Sequence, residues 1–183
     1  MILPIVKFGD PVLRAKGAMV GEVTPEIQQL AADMIETMRA AHGVGLAAQQ
    51  IGQALQLAVV DVAGVEDRPS ALYIDGDQVE IEEHMPMILL NPELRLSKEK
   101  EPGKEGCLSF PEITAEIVRS IGVHCKARLL DGREVEFEAI GLLARALQHE
   151  VDHLNGVLFI DRMNSAAKAS LASRLKRLQR DGE

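Results

Sequence analysis

Gln148-His149-Glu150-Val151-Asp152-His153-Leu154 is the stretch that decides the architecture. Upstream of it, Leu142, Leu143, Ala146 and Leu147 recur at helical spacing through to Leu154, and Asn155-Gly156 supplies a stop. The stretch therefore forms the last turns of a helix that begins after Gly141. Residues i and i+4 share a helix face, so His149 and His153 can present two imidazoles to one metal ion. Glu150, three residues before His153, projects beside the same point and can accept a proton from water there. A divalent ion lowers the pKa of such a water to about 7. The pattern is only five residues long, and two histidines on a solvated helix face would also produce it. Its meaning depends on a third ligand elsewhere in the chain.

Outward from this helix, the chain divides into short elements. Thr24-Pro25 reads as an N-cap with proline at the first helical position. Ile27, Leu30, Ala31, Met34, Met38 and Ala41 then predict an amphipathic helix over 25–41, ended by Gly43. The segment 43–52 has no clean period and reads as a small-residue loop that lets backbone approach closely. Segments 55–63 and 87–96 read as strands, with the acidic stretch 64–86 between them as a loop or short excursion. Residues 113–119 look extended. Segments 123–130 and 134–139 alternate apolar and polar around Asp131-Gly132, a hairpin signal. A last helix starts near Ser165, with Ala167, Leu171, Leu175 and Leu178 as its apolar stripe and Lys168, Arg174, Lys176, Arg177 and Arg180 around it. Helix, strands, hairpin and helices without βαβ alternation predict an α+β fold.

At 183 residues the chain suits one domain, 1–183, with 165–183 as a C-terminal basic amphipathic helix. With no Trp, one Tyr and four Phe, the core has to be aliphatic. A net charge of −8 excludes nucleic-acid binding over the whole surface, because phosphate binding needs clustered Lys and Arg. Sequence-specific nucleic-acid recognition is therefore not expected, and the C-terminal helix is the one local basic patch. Of the two cysteines, Cys125 sits in an alternating strand and Cys107 in a glycine-flanked loop, which predicts two reduced thiols in a reducing compartment. The opening ten residues turn polar too soon for a signal peptide, and no apolar run reaches the roughly 18 to 20 residues that cross a bilayer. The expected location is the cytoplasm.

A catalytic metal site needs a third protein ligand and an open fourth position. Cys107, in Glu105-Gly106-Cys107-Leu108-Ser109, can supply it, since Gly106 lets the loop come close and thiolate suits the same metals as imidazole. Most free cysteines are small buried hydrophobes, the reading that fits Cys125. Gln50 offers an amide N–H for a developing oxyanion. A metalloprotease cleaving internal peptide bonds would take its third ligand from beyond His153, where no histidine follows and only Asp161 stays formally open. A non-catalytic metal-binding or peptide-binding protein would have no need of Glu150 and Gln50 together.

Three segments carry a family resemblance. Gly43-Val44-Gly45-Leu46-Ala47-Ala48-Gln49-Gln50 resembles the GxGLAAxQ motif of peptide deformylases, Glu105–Ser109 their EGCLS motif, and Gln148–Leu154 their QHExDHL motif, all in the family's order. The similarity extends to Gly9-Asp10-Pro11-Val12-Leu13-Arg14. It implies small antiparallel sheets packed around a central metal-binding helix, with N-terminal and C-terminal helices. By resemblance, Cys107, His149 and His153 hold the metal, Glu150 is general base and acid, and Gln50 with the Leu108 backbone N–H binds the oxyanion. Gly45 would align the substrate backbone. Leu142 and Ala146, spaced on the His149 face, would form with Val44 a slot for methionine. The implied reaction removes the formyl group from N-formylmethionyl nascent peptides and releases formate. One divalent ion per chain is implied, Fe2+ by family habit, with Zn2+, Ni2+ or Co2+ allowed by ligand type and oxygen sensitivity expected of the thiolate–iron pair. The C-terminal helix would dock on the ribosome. The stretch 64–86 is longer than in compact members of the family.

Overall fold

Alternating burial along the middle of the chain builds two antiparallel sheets. The computed structural model describes residues 1–182. Its strands are β1 (Gly45–Ala47), β2 (Leu57–Val60), β3 (Ser70–Ile74), β4 (Asp77–Val79), β5 (Met87–Leu96), β6 (Lys100–Cys107), β7 (Phe110–Ser120), β8 (Gly122–Arg128) and β9 (Glu134–Gly141). Seven of them form one sheet in the order β1-β2-β5-β8-β9-β3-β4, and β6 with β7 forms the second. Asp131-Gly132 joins β8 to β9 as the alternation requires. The register Cys125↔Phe137 and Val123↔Ala139 puts these buried residues on one face.

That face receives helix α2 (Leu142–Leu154), whose Leu143, Ala144 and Leu147 enter one apolar cluster with Val60, Leu72 and Leu89. The helix starts where Gly141, at φ 77°, lets the Pro69 carbonyl come within reach of the Leu142 N–H, 3.1 Å away; a Cβ at Gly141 would collide with that carbonyl. Helix α1 (Pro25–Ala40) begins as read from the sequence, with the Thr24 hydroxyl accepting from the Ile27 N–H at 3.3 Å. Its Met34 and Met38 pack on Leu46, Leu57 and Val59 in a second cluster. Phe8, Phe110 and Phe159 form a third, with centroids 4.8 and 5.0 Å apart between neighbours, and Leu175 near the C-terminus covers it. The arrangement is the α+β fold expected, with sheets around a buried helix.

Several local expectations are corrected. The stretch 64–86 is not merely a loop: it folds back as the β3–β4 hairpin about Asp75-Gly76, and β3 extends the large sheet by pairing Leu72 with Ala139. Strands of five and three residues are too short to show a period against acidic surroundings. The 43–52 loop holds β1 and a 3-10 turn over Ala48–Ile51. His42, not Gly43, adopts the left-handed conformation after α1, at φ 58°. The 55–63 strand is trimmed to β2. The strand β6 has no hydrophobic pattern and owes its form to pairing with β7. The C-terminal segment is two helices, α3 (Ser165–Ser170) and α4 (Ala172–Gly182), with Leu171 between them. Among the described residues, no helix is long and apolar enough to cross a membrane.

Because Leu143 is wholly buried between α2 and the large sheet, Leu143→Ala should lower unfolding free energy by about 2–5 kcal/mol in urea titration.

Candidate metal centre

The end of β6 and the last turns of α2 meet. Cys107 Sγ lies 3.4 Å from His153 Nε2, and His153 Nε2 lies 3.2 Å from His149 Nε2. The three candidate ligand atoms all fall within 4.8 Å of one another. Bonds of about 2.0–2.1 Å to nitrogen and about 2.3 Å to sulfur give tetrahedral edges of roughly 3.3–3.6 Å. The separations of 3.4 and 3.2 Å are close to edges of that size, and the thiol–imidazole chemistry of the donor set fits a divalent transition metal.

Ring orientation supports the same fit. His149 Nδ1 is 2.9 Å from Glu105 Oε1, so its N–H goes to the carboxylate and Nε2 is left with a free lone pair facing His153. Glu105 also accepts from Arg119 Nε and Nη2, each at 2.9 Å, and from Arg145 Nη1 at 2.8 Å. Burial would raise the Glu105 carboxyl, but the hydrogen bonds from Arg119 and His149 hold it well below the usual carboxylate range. Burial likewise disfavours a charged His149, yet with no metal beside it the hydrogen bonds with Cys107 and Glu105 outweigh burial and raise its pKa, the added proton taking the same Nε2 lone pair that a cation would take. The surroundings that attract a proton there also attract a cation. His153, deeper still, is kept neutral by burial, as a metal ligand must be.

Glu150 has the opposite environment. Burial pushes its carboxyl up to about 7, and its Oε1 has no hydrogen-bond partner. Gly45 on β1 abuts this carboxylate, and a Cβ there would overlap it. Gln50 is oriented by the Ala47 N–H, which donates to its Oε1 at 3.0 Å. Its Nε2 therefore points at Ser109 Oγ, 3.2 Å away, and at Cys107 Sγ, 3.6 Å away.

Val44, Gly45, Gln50, Cys107, Leu108, Leu142, Ala146, His149 and Glu150 all line one cavity of about 440 Å³. His153 sits behind that wall and is 1% exposed. Leu142 and Ala146 belong to the main apolar cluster as well, so they serve the core and the cavity together. Asp161, the one downstream alternative ligand, is held instead by Arg14 at 2.6 Å and caps the Leu158 N–H at 3.0 Å. A cleft of about 550 Å³ on the other side of α2 contains none of the three candidate ligands.

Sequence reasoning missed the supporting charges: Glu105 as the partner of His149, Arg119 and Arg145 as its counterions, and Asp152 bonded to Arg119 at 2.6 Å. One signal was available. Arg119 lies two residues after buried Ile117 on β7, an inward position where a charge needs a partner.

The family described as polypeptide deformylase matches residues 2–169. The chain belongs to that family. A peptide deformylase of Methylacidiphilum infernorum is 45% identical over 180 residues, covering 98% of this chain and 94% of its own. One from Acinetobacter baumannii is 41% identical over 183 residues, covering 100% and 94%. Among solved structures, the peptide deformylase from Thermus thermophilus superposes with a TM-score of 0.83 at 34% identity over 100% of both chains. That from Thermotoga maritima gives 0.77 at 39% identity, over 90% of this chain and 99% of its own.

For a deformylase built this way, Glu105→Gln removes the ionised acceptor from His149 and leaves two arginines short of a counterion. Metal affinity, measured by chelator competition, should fall about 10- to 100-fold.

Proposed function

We propose that this deformylase removes the N-formyl group from formylmethionine at the start of newly made polypeptides, releasing formate and a free amine. The observation that carries the reading is the convergence of Cys107, His149 and His153 beside the unpartnered Glu150 carboxyl. Cys107 Sγ with the Nε2 atoms of His149 and His153 would hold the metal. A bound ion supplies Lewis acidity, polarising the carbonyl oxygen and making an attacking water acidic enough to ionise near neutral pH. Glu150 takes the proton of the attacking water and hands it to the leaving nitrogen. Burial raises this carboxyl and an adjacent cation would lower it again, so it can hold a proton and release it in turn. The Gln50 Nε2 group and the Leu108 backbone N–H donate to the oxyanion as the C–N bond breaks.

Substrate placement follows from the edges around the cavity. Strand β1 ends the large sheet and β6 pairs with β7 alone, so each leaves an unpaired edge for an extended peptide. Gly45 aligns that backbone, and Val44, Leu142 and Ala146 wall the slot for the unbranched methionine side chain. We assign Fe2+ as the ion in the cell, on family habit and the thiolate–imidazole donor set, with Zn2+, Ni2+ or Co2+ as working substitutes. Nascent chains as substrate and two unpaired thiols support the cytoplasm as its location.

The outer face of α3 and α4 supports docking on ribosomal RNA. Lys168, Arg174, Lys176, Arg177 and Arg180 are exposed while Leu175 turns inward. Deleting this segment would uncover the aromatic cluster, so charge removal is the cleaner probe. Changing Lys176, Arg177 and Arg180 to Ala should weaken ribosome sedimentation binding and flatten its salt dependence, each phosphate contact contributing a slope of about 0.7–0.9. Unchanged, salt-insensitive binding would dismiss this docking mode.

The decisive variant for the chemistry is Glu150→Ala. It should keep its metal yet lose about 100-fold or more in kcat on formyl-Met peptides. Near wild-type turnover, or equal use of acetyl-Met peptides by the unaltered enzyme, would refute the assignment.

A further inference from the structure

The stretch 64–86 contributes more than a sheet extension. It brings Arg68 to the wall of the catalytic cavity, half-buried, just before β3. Its position is set by backbone. The neighbouring Pro69 carbonyl accepts from the Leu142 N–H at 3.1 Å, and Ser70 Oγ accepts from the Leu143 N–H at 2.9 Å. Arg68 is thereby fixed beside Leu142, at the methionine slot. On the neighbouring wall, β6 turns Glu105 inward and Lys104 outward.

The charge balance of this rim departs from that of the molecule. The chain carries −8 overall, yet the exposed or half-exposed charged side chains around the cavity, the metal ligands aside, are Arg68 and Lys104 against Glu112 alone. Glu105 is consumed by Arg119 and Arg145, and Glu150 lies buried at the metal. Neither Arg68 nor Lys104 closes an ion pair among the described residues. Lys104 stands opposite Glu116 across the β6–β7 pair without bonding to it.

We propose that this rim selects substrates with an acidic side chain at the second or third residue, and that Arg68 and Lys104 determine the preference. The inference rests on the deformylase reading and specifies its substrate class. Lys104 is three residues from Cys107, roughly 10 Å along a strand rising about 3.3 Å per residue. A peptide extended along that edge, with its formyl group at the metal, brings its second and third side chains to the same distance. Arg68, beside the slot that takes the first side chain, faces them from across the cavity. A half-buried guanidinium and an exposed ammonium group without internal partners attract carboxylates there and repel lysine, a local effect that acts against the negative charge of the chain as a whole.

The test compares formyl-Met-Ala-Ala, formyl-Met-Glu-Glu and formyl-Met-Lys-Lys, all C-terminal amides, on the metal-loaded full chain. The glutamate peptide should exceed the lysine peptide in kcat/KM by about five- to tenfold, through KM rather than kcat, and 1 M salt should erase most of that ratio as the screening length falls to about 3 Å. In the Arg68→Ala, Lys104→Ala double variant the ratio should shrink towards unity, and with Arg68→Glu and Lys104→Glu it should invert, each variant's fold being checked by circular dichroism. Turnover of all three peptides at equal kcat/KM, or a preference that survives both double variants, would overturn the proposal while leaving the deformylase reading intact. Absence of turnover on every peptide would overturn that reading and the proposal with it.

Discussion

One buried carboxylate holds the catalytic half of this molecule together. Glu105 accepts from Arg119 on β7, Arg145 on α2 and His149 on α2, so a single side chain joins the small sheet to the central helix. Strand geometry then does the rest. Side chains alternate in exposure along the end of β6, so Glu105 is buried, Gly106 faces out and Cys107 turns back inward, where the register with β7 shifts. The thiol meets His153 Nε2 at 3.4 Å, and the hydrogen bond from His149 Nδ1 to Glu105 turns the other ring's Nε2 to the same place. Burying an ionised carboxylate is costly unless it is fully bonded, and Glu105 is 7% exposed with every donor in place.

Glu105 and Glu150 show how position decides chemistry. Both are buried, both lie beside His149, and their environments drive them apart. Two guanidinium groups and a ring N–H keep Glu105 ionised, whereas Glu150 has no partner for Oε1 and its carboxyl rises to about 7. The first therefore orients the His149 ring, and the second has the environment that the proton-carrying role proposed for it requires. The space for Glu150 comes from β1, where Gly45 leaves out the Cβ that would strike it.

Behind the metal centre, the aromatic cluster ties the chain's two ends to the site. Phe159 lies 5.9 Å from the His149 ring and packs edge-on to Phe110, which stacks on Phe8 from the N-terminal segment. Leu175 of α4 closes this cluster, so the C-terminal helix supports the floor of the site with one face and presents its basic residues outward with the other. The few aromatics in an otherwise aliphatic protein are concentrated where the histidines need a rigid backing.

Much was legible in the residues themselves, because local periodicity carries it. The spacing of Leu142, Ala146, His149 and His153 sets a helix face, Asp131-Gly132 sets a hairpin, Thr24-Pro25 sets a helix start, and three short motifs set the family. These are properties of neighbours along the chain, and the structure places each accordingly. What escaped the sequence depends on partners far apart in it. Strands β3, β4 and β6 have no period of their own: β9 completes the hydrogen bonds of β3, β3 those of β4, and β7 those of β6. Arg119 and Arg145 read as ordinary charges until Glu105, 14 and 40 residues away, is brought between them. The ligands were visible one at a time; only tertiary packing could put a sulfur and two ring nitrogens at coordination distance, since that depends on how a sheet and a helix meet rather than on what either contains.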